Sequence, residues 1–164
     1  MSKRDKFVKL AKAEATANSL YLWGGQGEQV ETTPPEFIEK HETSPANAAR
    51  VLKCLANKLI AGCNMKKAKY FDCSGLVVYL LMQLKIIEKD YTAAGIYREL
   101  CVPISRADVK TGDLCFISSG GKITHVGIIT GEKEVTEAAG RDIGVVTRGM
   151  SKNSWNIYGR VKGL

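Results

Sequence analysis

The sequence predicts an α+β fold, because helical patterns fill the earlier part of the chain and strand patterns fill the later part. Its length of 164 residues suits one domain, since about 150 residues per domain is typical. With 45% hydrophobic and 25% charged residues, the composition is that of a globular protein and excludes a disordered or collagen-like chain. We therefore expect residues 1–164 to form a single domain.

The helices are predicted by apolar residues spaced three and four positions apart, and by capping residues before them. The first predicted helix runs from Lys3 to about Leu20, and the second starts at Thr33-Pro34-Pro35-Glu36. The third is a regular amphipathic helix from Ser44-Pro45 to Gly62. A mostly buried helix follows Asp72, and a short helix lies near Thr92 to Leu100. Between the first two, Trp23-Gly24-Gly25 predicts a turn or a close backbone contact.

The later part of the chain carries short runs of β-branched and aromatic residues separated by glycine-containing turns. The predicted strands are Leu114 to Ile117, Ile123 to Thr130, Glu134 to Ala138, Gly144 to Thr147 and Ile157 to Val161. Short turns such as Ser119-Gly120-Gly121-Lys122 join antiparallel neighbours, so we expect an antiparallel sheet of about five strands.

The chain is basic, with 24 Lys and Arg against 17 Asp and Glu, which gives a net charge of +7. The basic residues crowd both ends of the chain, namely Lys3, Arg4, Lys6, Lys9 and Lys12, then Arg141, Arg148, Lys152, Arg160 and Lys162. Such a surface attracts polyanions, and a simple excess of solubilising charge explains it equally well. The sequence contains no nucleic-acid-binding module and no basic stripe interleaved with aromatics, so we expect no nucleic-acid partner.

No apolar run approaches the roughly 20 residues needed to span a bilayer, so we expect no membrane span. Residues 1–12 also lack the apolar core of a secretory signal peptide, so we expect synthesis in the cytoplasm without a signal peptide.

Cys73 has the sequence context of a nucleophile. The chain has five cysteines and none of the close pairs typical of metal sites, so we expect no metal and no cofactor. Cys54, Cys63, Cys101 and Cys115 are interpreted as small hydrophobic residues. Cys73 instead follows a predicted Asp72 cap at the start of a helix. Free N–H groups and the helix dipole there favour a thiolate and could stabilise an oxyanion.

A nucleophilic thiolate needs a base, and the chain offers two histidines. His41 lies in an acidic segment, whereas His125 begins the motif His125-Val126-Gly127-Ile128 in the strand predicted from Ile123 to Thr130, where Gly127 leaves room for a close neighbour. Glu137, on the next strand, could orient the imidazole. We therefore predict a catalytic group of Cys73, His125 and Glu137.

These residues lie in motifs that resemble the NlpC-type family of papain-like cell-wall cysteine hydrolases. The motifs are, in the family's order, Tyr21-Leu22-Trp23-Gly24-Gly25, Phe71-Asp72-Cys73-Ser74-Gly75-Leu76-Val77, Thr111-Gly112-Asp113-Leu114 and His125-Val126-Gly127-Ile128. The resemblance implies a papain-like α+β fold whose nucleophilic cysteine begins a helix packed on the sheet that carries the histidine. It also implies cleavage of amide bonds in peptidoglycan peptide stems, typically between D-glutamate and a diamino acid.

Carried over to this chain, the resemblance makes Cys73 the nucleophile, His125 the base and Glu137 the third residue, and it places Tyr21, Asp72 and Ser74 where the family contacts the stem peptide. Two features depart from the family. In the family, the third catalytic residue is usually His, Asn or Gln, whereas this chain has Glu137. Residues 26–70 also form a longer connection between the Trp23-Gly24-Gly25 motif and the Cys73 motif than is usual in the family. We interpret residues 26–70 as a helical insertion in a single catalytic domain, 1–164, which reshapes one side of the cleft.

Other functions stay open on the sequence. One is an N-acetylmuramoyl-L-alanine amidase, acyltransferase or deamidase of the same fold, and another is a non-catalytic wall-binding or structural module. We expect a monomer whose partners are the stem peptide and the anionic cell wall. Without a signal peptide, it would reach the wall after release or dedicated export, as a phage endolysin or an exported effector would.

Overall fold

The computed structural model of the protein describes residues 1–164 and contains helices and two β-sheets. The helices are α1 (Lys3–Thr16), α2 (Glu36–His41), α3 (Pro45–Ile60), α4 (Cys73–Gln83) and α5 (Ala93–Gly95). The strands are β1 (Leu20–Tyr21), β2 (Gln26–Gln29), β3 (Lys69–Phe71), β4 (Cys101–Ile104), β5 (Leu114–Ser119), β6 (Lys122–Gly131), β7 (Glu134–Ala138), β8 (Val145–Gly149) and β9 (Ile157–Val161). A π-helical turn at Ile96–Leu100 continues α5. No helix has the length and apolar character needed to cross a membrane.

The larger sheet has six strands in the order β4-β9-β5-β6-β7-β8, and every neighbouring pair is antiparallel. Helix α4 packs against β6 and β7, and its buried leucines and valines form the main core with residues of α1 and the sheet. The predicted α+β class is confirmed. The expected count of about five strands was one too low, because β4 was missed. Its Pro103 weakens a strand pattern, but β4 lies at the sheet edge, where proline is tolerated.

The predicted turn at Ser119-Gly120-Gly121-Lys122 joins β5 and β6 in a hairpin that carries His125. Gly120 and Gly121 both have positive φ, at 57° and 77°, which is the conformation of a two-residue hairpin turn. The turn pairs Ser119 with Lys122, and a β-bulge then shifts the register between Ile117 and Ser118, so that Ile117 lies opposite His125. The turn and the bulge together therefore determine where the imidazole lies along the sheet.

The smaller sheet, in the order β1-β3-β2, was not predicted from the sequence. Its strands have only two to four residues, too few for a strand pattern to be recognised. The first helix was expected to reach Leu20 but ends at Thr16, because Asn18 adopts a left-handed conformation with φ 64°. Leu20 then belongs to β1, which pairs with β3 directly before Cys73.

Residues 26–70 contain α2 and α3 and contribute most of a second apolar cluster, around Ile38, Val51 and Tyr70. Ser44 caps α3 as predicted, by accepting a hydrogen bond from the Asn47 N–H at 3.1 Å. The predicted Thr33 cap of α2 was wrong: Pro35 precedes that helix without a side-chain cap. The Thr33 hydroxyl instead donates to the carbonyl oxygen of Gln29.

Asp113, from the Thr111-Gly112-Asp113 turn, ties the two ends of the chain together. Its buried carboxylate accepts hydrogen bonds from Arg4 of α1 at 2.9 Å and from Arg160 of β9 at 2.8 and 2.9 Å. It also accepts from the Lys110 N–H at 2.7 Å. Burial raises the pKa of Asp113, but these donors outweigh burial and hold the pKa below 3.8. The turn motif is therefore structural.

Replacing Asp113 by alanine is expected to lower the free energy of unfolding by about 3 kcal/mol, because several charge-assisted hydrogen bonds are lost. Since its pKa is depressed, the stabilisation is present above pH 3.8 and is lost as the pH falls through the folded-state value. Urea unfolding at several pH values measures both effects. The exposed Asp108 is the control, and its change to alanine should cost less than about 0.5 kcal/mol. Equal stability losses in the two variants would contradict a structural role for Asp113.

Candidate active site

Cys73 is the first residue of α4, as predicted, and its side chain is partly buried. Asp72 caps the helix: its Oδ1 accepts from the Gly75 N–H at 2.6 Å and from the Ser74 hydroxyl at 3.2 Å. The Gly75 N–H is therefore engaged by Asp72, and the Leu76 N–H bonds the Asp72 carbonyl. The N–H groups of Cys73 and Ser74 precede these bonds and remain available at the helix end that attracts negative charge.

The Trp23-Gly24-Gly25 turn packs directly on the start of α4. The Gly24 N–H donates to Asp72 Oδ2 at 3.0 Å, and the Asp72 N–H donates to the Gly25 carbonyl oxygen at 3.1 Å. A Cβ atom on Gly75 would overlap that same Gly25 carbonyl oxygen. The close contact expected from the glycines thus joins two motifs that lie far apart in the sequence.

Replacing Gly75 by alanine is expected to separate these motifs and destabilise the fold by about 2–3 kcal/mol, because backbone rather than a flexible side chain blocks the new methyl group. Turnover should fall as well, since the start of α4 must shift. Gly149, where a Cβ would meet nothing closer than 3.7 Å, is the matched control. Thermal unfolding of both alanine variants tests this, and a Gly75→Ala protein as stable as Gly149→Ala would contradict it.

His125 lies between Cys73 and Glu137. Its Nε2 is 2.9 Å from Glu137 Oε1, and Cys73 lies close enough to act on the charge of the imidazole. Burial of the imidazole lowers its pKa, but the hydrogen bonds and negative charges of Cys73 and Glu137 outweigh burial and raise the pKa to about 9. His125 is therefore held as an imidazolium below about pH 9. The structure brings all three predicted catalytic residues together.

Glu137 is almost fully buried, with 1% of its side chain exposed, and three groups bind its carboxylate. Besides His125, Asn153 donates to Oε1 at 2.8 Å and Arg148 donates to Oε2 at 3.3 Å. Burial raises the pKa of Glu137, but His125 and Arg148 outweigh burial and keep the pKa below its ordinary value. The carboxylate therefore stays charged and fixed in orientation.

Arg148 and Asn153 were missed as site residues by the sequence analysis. Arg148 was counted in the basic surplus of the later part of the chain, whereas the structure pairs it with Glu137. Residues two apart in a strand point to the same face of the sheet, and Arg148 lies two residues after Val146, which pairs with Glu137. This alternation along β8 is a weak sequence signal for Arg148. Asn153 lies in an irregular segment and carries no sequence signal.

Trp155 covers the imidazole from one side. Its ring stacks on His125 with centroids 5.3 Å apart and an interplanar angle of 17°. A Cβ on Gly127 would lie 2.8 Å from this indole and from Val135, so Trp155 is the neighbour for which Gly127 leaves room. The stacked ring restricts rotation of His125 and shields its bond to Glu137.

Tyr21 and Ser74 lie beside the nucleophile, as predicted. Burial raises the pKa of Tyr21 to about 12, with further contributions from the nearby charges of Cys73 and Asp72. The guanidinium of Arg141 lies 5.5 Å from the centre of the Tyr21 ring. Ser74, bonded to Asp72, is the residue next to Cys73 in the first turn of α4.

The other thiols and His41 have no hydrogen bond to Cys73, His125 or Glu137. All five cysteines are free, and burial raises the pKa of Cys54, of Cys101 to about 12, and of Cys115 well above its ordinary value. The His41 ring packs on Phe37 at a centroid distance of 4.1 Å. No cluster of three His, Cys, Asp or Glu side chains is arranged to hold a metal ion.

Comparison with known proteins places this geometry in context. The NlpC/P60 family matches residues 56–160. Murein DD-endopeptidase MepH of Escherichia coli (strain K12) is 34% identical over 93 residues, which is 54% of this chain and 34% of MepH. The probable endopeptidase p60 of Listeria grayi is 32% identical over 88 residues, which is 54% of this chain and 16% of that protein. The chain thus spans 34% and 16% of the length of these two curated relatives.

Solved structures match the fold over nearly the whole chain. The NlpC/p60 domain of the peptidoglycan hydrolase SagA superposes with a TM-score of 0.59 at 19% identity. The match covers 96% of this chain and 98% of that domain. At this identity the likeness concerns the fold alone, which is the papain-like arrangement expected from the sequence.

Proposed function

This chain belongs to the NlpC/P60 family, and from that membership we propose that it is a cysteine hydrolase that cleaves amide bonds in the peptide stems of bacterial peptidoglycan. The observation that carries the proposal is the position of His125, which is hydrogen-bonded to the buried Glu137 and lies near enough to Cys73 for the thiol to raise its pKa. The names of the relatives, an endopeptidase of murein and a probable endopeptidase, agree with this substrate class.

The proposed reaction is acyl transfer to a thiol, followed by hydrolysis. The Cys73 thiolate attacks the carbonyl carbon of the stem amide, and the N–H groups of Cys73 and Ser74 stabilise the oxyanion. The His125 imidazolium donates its proton to the departing amine as the C–N bond breaks, which leaves a thioester. Neutral His125 then takes a proton from water, whose oxygen attacks the thioester, and the acid product and the Cys73 thiolate are released.

For the bond cleaved, we propose the amide between D-glutamate and the diamino acid, as the motif resemblance implies. A second candidate is the D,D cross-link between stems, because MepH is named a DD-endopeptidase. The two reactions give different products. The first shortens each stem and exposes the amine of the diamino acid, whereas the second converts cross-linked dimers into monomers.

The experiment is digestion of purified peptidoglycan and of soluble cross-linked fragments, followed by mass measurement of the products. Loss of a fragment that begins with the diamino acid would support the first bond, and conversion of dimers to monomers would select the second. Release of whole stems from the sugar would instead identify an amidase. A protein that releases nothing from any of these substrates would contradict the proposed function.

We also propose that the positive surface draws the protein to the anionic wall after release or dedicated export. Half of the ten basic residues that crowd the ends of the sequence form ion pairs, namely Arg4, Lys12, Arg141, Arg148 and Arg160. The exposed lysines of α1, Lys3, Lys6 and Lys9, are therefore the better candidates for this attraction.

A further inference from the structure

Two ion pairs join residues 26–70 to the loop at 139–144, which connects β7 to β8. Arg141 Nε and Nη2 donate to the two carboxylate oxygens of Glu42 at 2.9 and 2.8 Å. Arg50 Nε and Nη2 donate to the carboxylate oxygens of Asp142 at 3.0 and 2.7 Å. Both contacts are bidentate. Arg141 and Asp142 are neighbours in the loop and carry opposite charges, and each binds a partner of the charge opposite to its own. The geometry of the contact between the two segments is therefore specific.

The two pairs differ in burial. The Glu42 side chain is 0% exposed and that of Arg141 is 17% exposed, whereas Arg50 and Asp142 are 47% and 62% exposed. Burial raises the pKa of Glu42, but hydrogen bonds from Arg141, Trp23 and Thr43 outweigh burial and hold the pKa below its ordinary value. The Glu42–Arg141 contact is thus a charged pair shielded from solvent, and the Arg50–Asp142 contact is a surface pair of the kind that contributes little.

Glu42 and Arg141 also connect to the site beside Cys73. The Glu42 carboxylate accepts from the backbone N–H of Trp23 at 3.2 Å, next to the Gly24 N–H that donates to Asp72. Arg141 lies with its guanidinium 5.5 Å from the centre of the Tyr21 ring. One buried carboxylate therefore holds the turn after β1, and its arginine partner packs near the Tyr21 ring, which lies close to Cys73.

We propose that Glu42 and Arg141 form a clasp that positions Tyr21 and the Trp23 turn for binding of the stem peptide, an inference that rests on the proposed function. In this arrangement residues 26–70 provide a wall of the substrate cleft through α2. Neither member of the clasp has a hydrogen bond to Cys73, His125 or Glu137. They are positioning residues, and their effect should fall on substrate binding rather than on nucleophile reactivity.

The test compares Arg141→Ala with Arg50→Ala, which removes the exposed pair between the same two segments. For Arg141→Ala we expect KM for a soluble muropeptide to rise at least about tenfold with kcat within about threefold, because the ground-state and transition-state complexes lose the same contact. Arg50→Ala should stay within about twofold of the wild-type protein. Alkylation of Cys73 by iodoacetamide should be unchanged in both variants, since His125, Glu137 and the Asp72 cap of α4 are kept.

An unchanged KM in Arg141→Ala would overturn the clasp, and so would an equal rise in both variants or a slowed alkylation of Cys73. Arg141→Lys provides a variant that keeps the charge but not the bidentate contact, and it should give an intermediate KM. If Arg141→Ala does not fold, an Arg141→Lys protein with the wild-type KM overturns the proposal.

A measurement without substrate separates this inference from the proposed function. Hydrogen exchange of the Trp23 amide, which donates to Glu42, should accelerate in Glu42→Gln and Arg141→Ala but not in Arg50→Ala. If the wild-type protein cleaves no peptidoglycan, the proposed function fails while this exchange still decides whether the clasp positions the turn. Wild-type exchange in all three variants would overturn the clasp.

Discussion

Replacing Cys73 by alanine is expected to abolish peptidoglycan hydrolysis, with a loss of at least about 10⁴-fold in kcat/KM. Alanine removes only the sulfur atom at the first position of α4, where Asp72 caps the helix independently of the thiol. The fold should therefore persist, as the circular dichroism spectrum and thermal midpoint can show. Release of fragments from purified peptidoglycan measures the activity.

Cys63 is the matched control for this variant, because it is another partly exposed free cysteine and lies just after α3. Cys63→Ala should retain wild-type turnover. Turnover at wild-type levels by Cys73→Ala would contradict the proposed mechanism. Rapid and selective alkylation of Cys73 near neutral pH would argue against a non-catalytic module, in which this thiol should react no faster than the other four.

Replacing Glu137 by glutamine is expected to move the alkaline limb of the pH profile of kcat/KM to lower pH. The negative charges of Cys73 and Glu137 overcome burial and raise the pKa of His125 from 6.5 to about 9. Activity of the wild-type protein should fall as the pH rises through about 9, where the coupled Cys73–His125 pair loses the imidazolium proton. Glutamine can still accept a hydrogen bond but carries no charge, so the His125 pKa should move back toward 6.5.

The rate near neutral pH should fall on the order of 10- to 100-fold in this variant, because less of the enzyme holds the thiolate and the imidazolium together. Glu134→Gln is the matched control, since Glu134 lies on the same strand and pairs with Lys12 at the surface. A Glu137→Gln profile identical to those of the wild-type protein and Glu134→Gln would show that another group sets the His125 pKa.

The same pKa shift gives His125 a pH-dependent contribution to stability. Its folded-state pKa lies above the ordinary value of 6.5, so protonation of His125 stabilises the folded protein fully below that pH. This contribution is lost as the pH rises through about 9. In Glu137→Gln, the loss of stability should therefore begin at lower pH, alongside the change in activity.

Local signals in the sequence were enough to predict the elements that carry the candidate site. Asp72 before an apolar helix predicted the start of α4, and the paired glycines at 120 and 121 predicted the turn before His125. Helix capping and turn formation depend on residues a few positions apart, and such local interactions can be recognised in a sequence. Short elements such as β1 and β3 depend on pairing with distant strands, so their own residues do not predict them.

Contacts over long sequence separations account for what the sequence analysis missed. Glu42 and Arg141 lie 99 positions apart, and both are charged residues of the kind usually found on a solvated surface. Their burial follows from the way the 139–144 loop meets the end of α2, which no local pattern encodes. The support of Glu137 by Asn153 depends likewise on an irregular segment after β8.

The position of β9 within the larger sheet has a consequence for synthesis of the protein. This strand, Ile157–Val161, is made after every other strand yet lies between β4 and β5, and its Arg160 completes the set of donors around Asp113. A nascent chain that already contains Cys73, His125 and Glu137 therefore still lacks an inner strand of the larger sheet. Because pairing between distant segments is slow and comes late in folding, the ribosome must deliver residue 161 before the larger sheet can assemble.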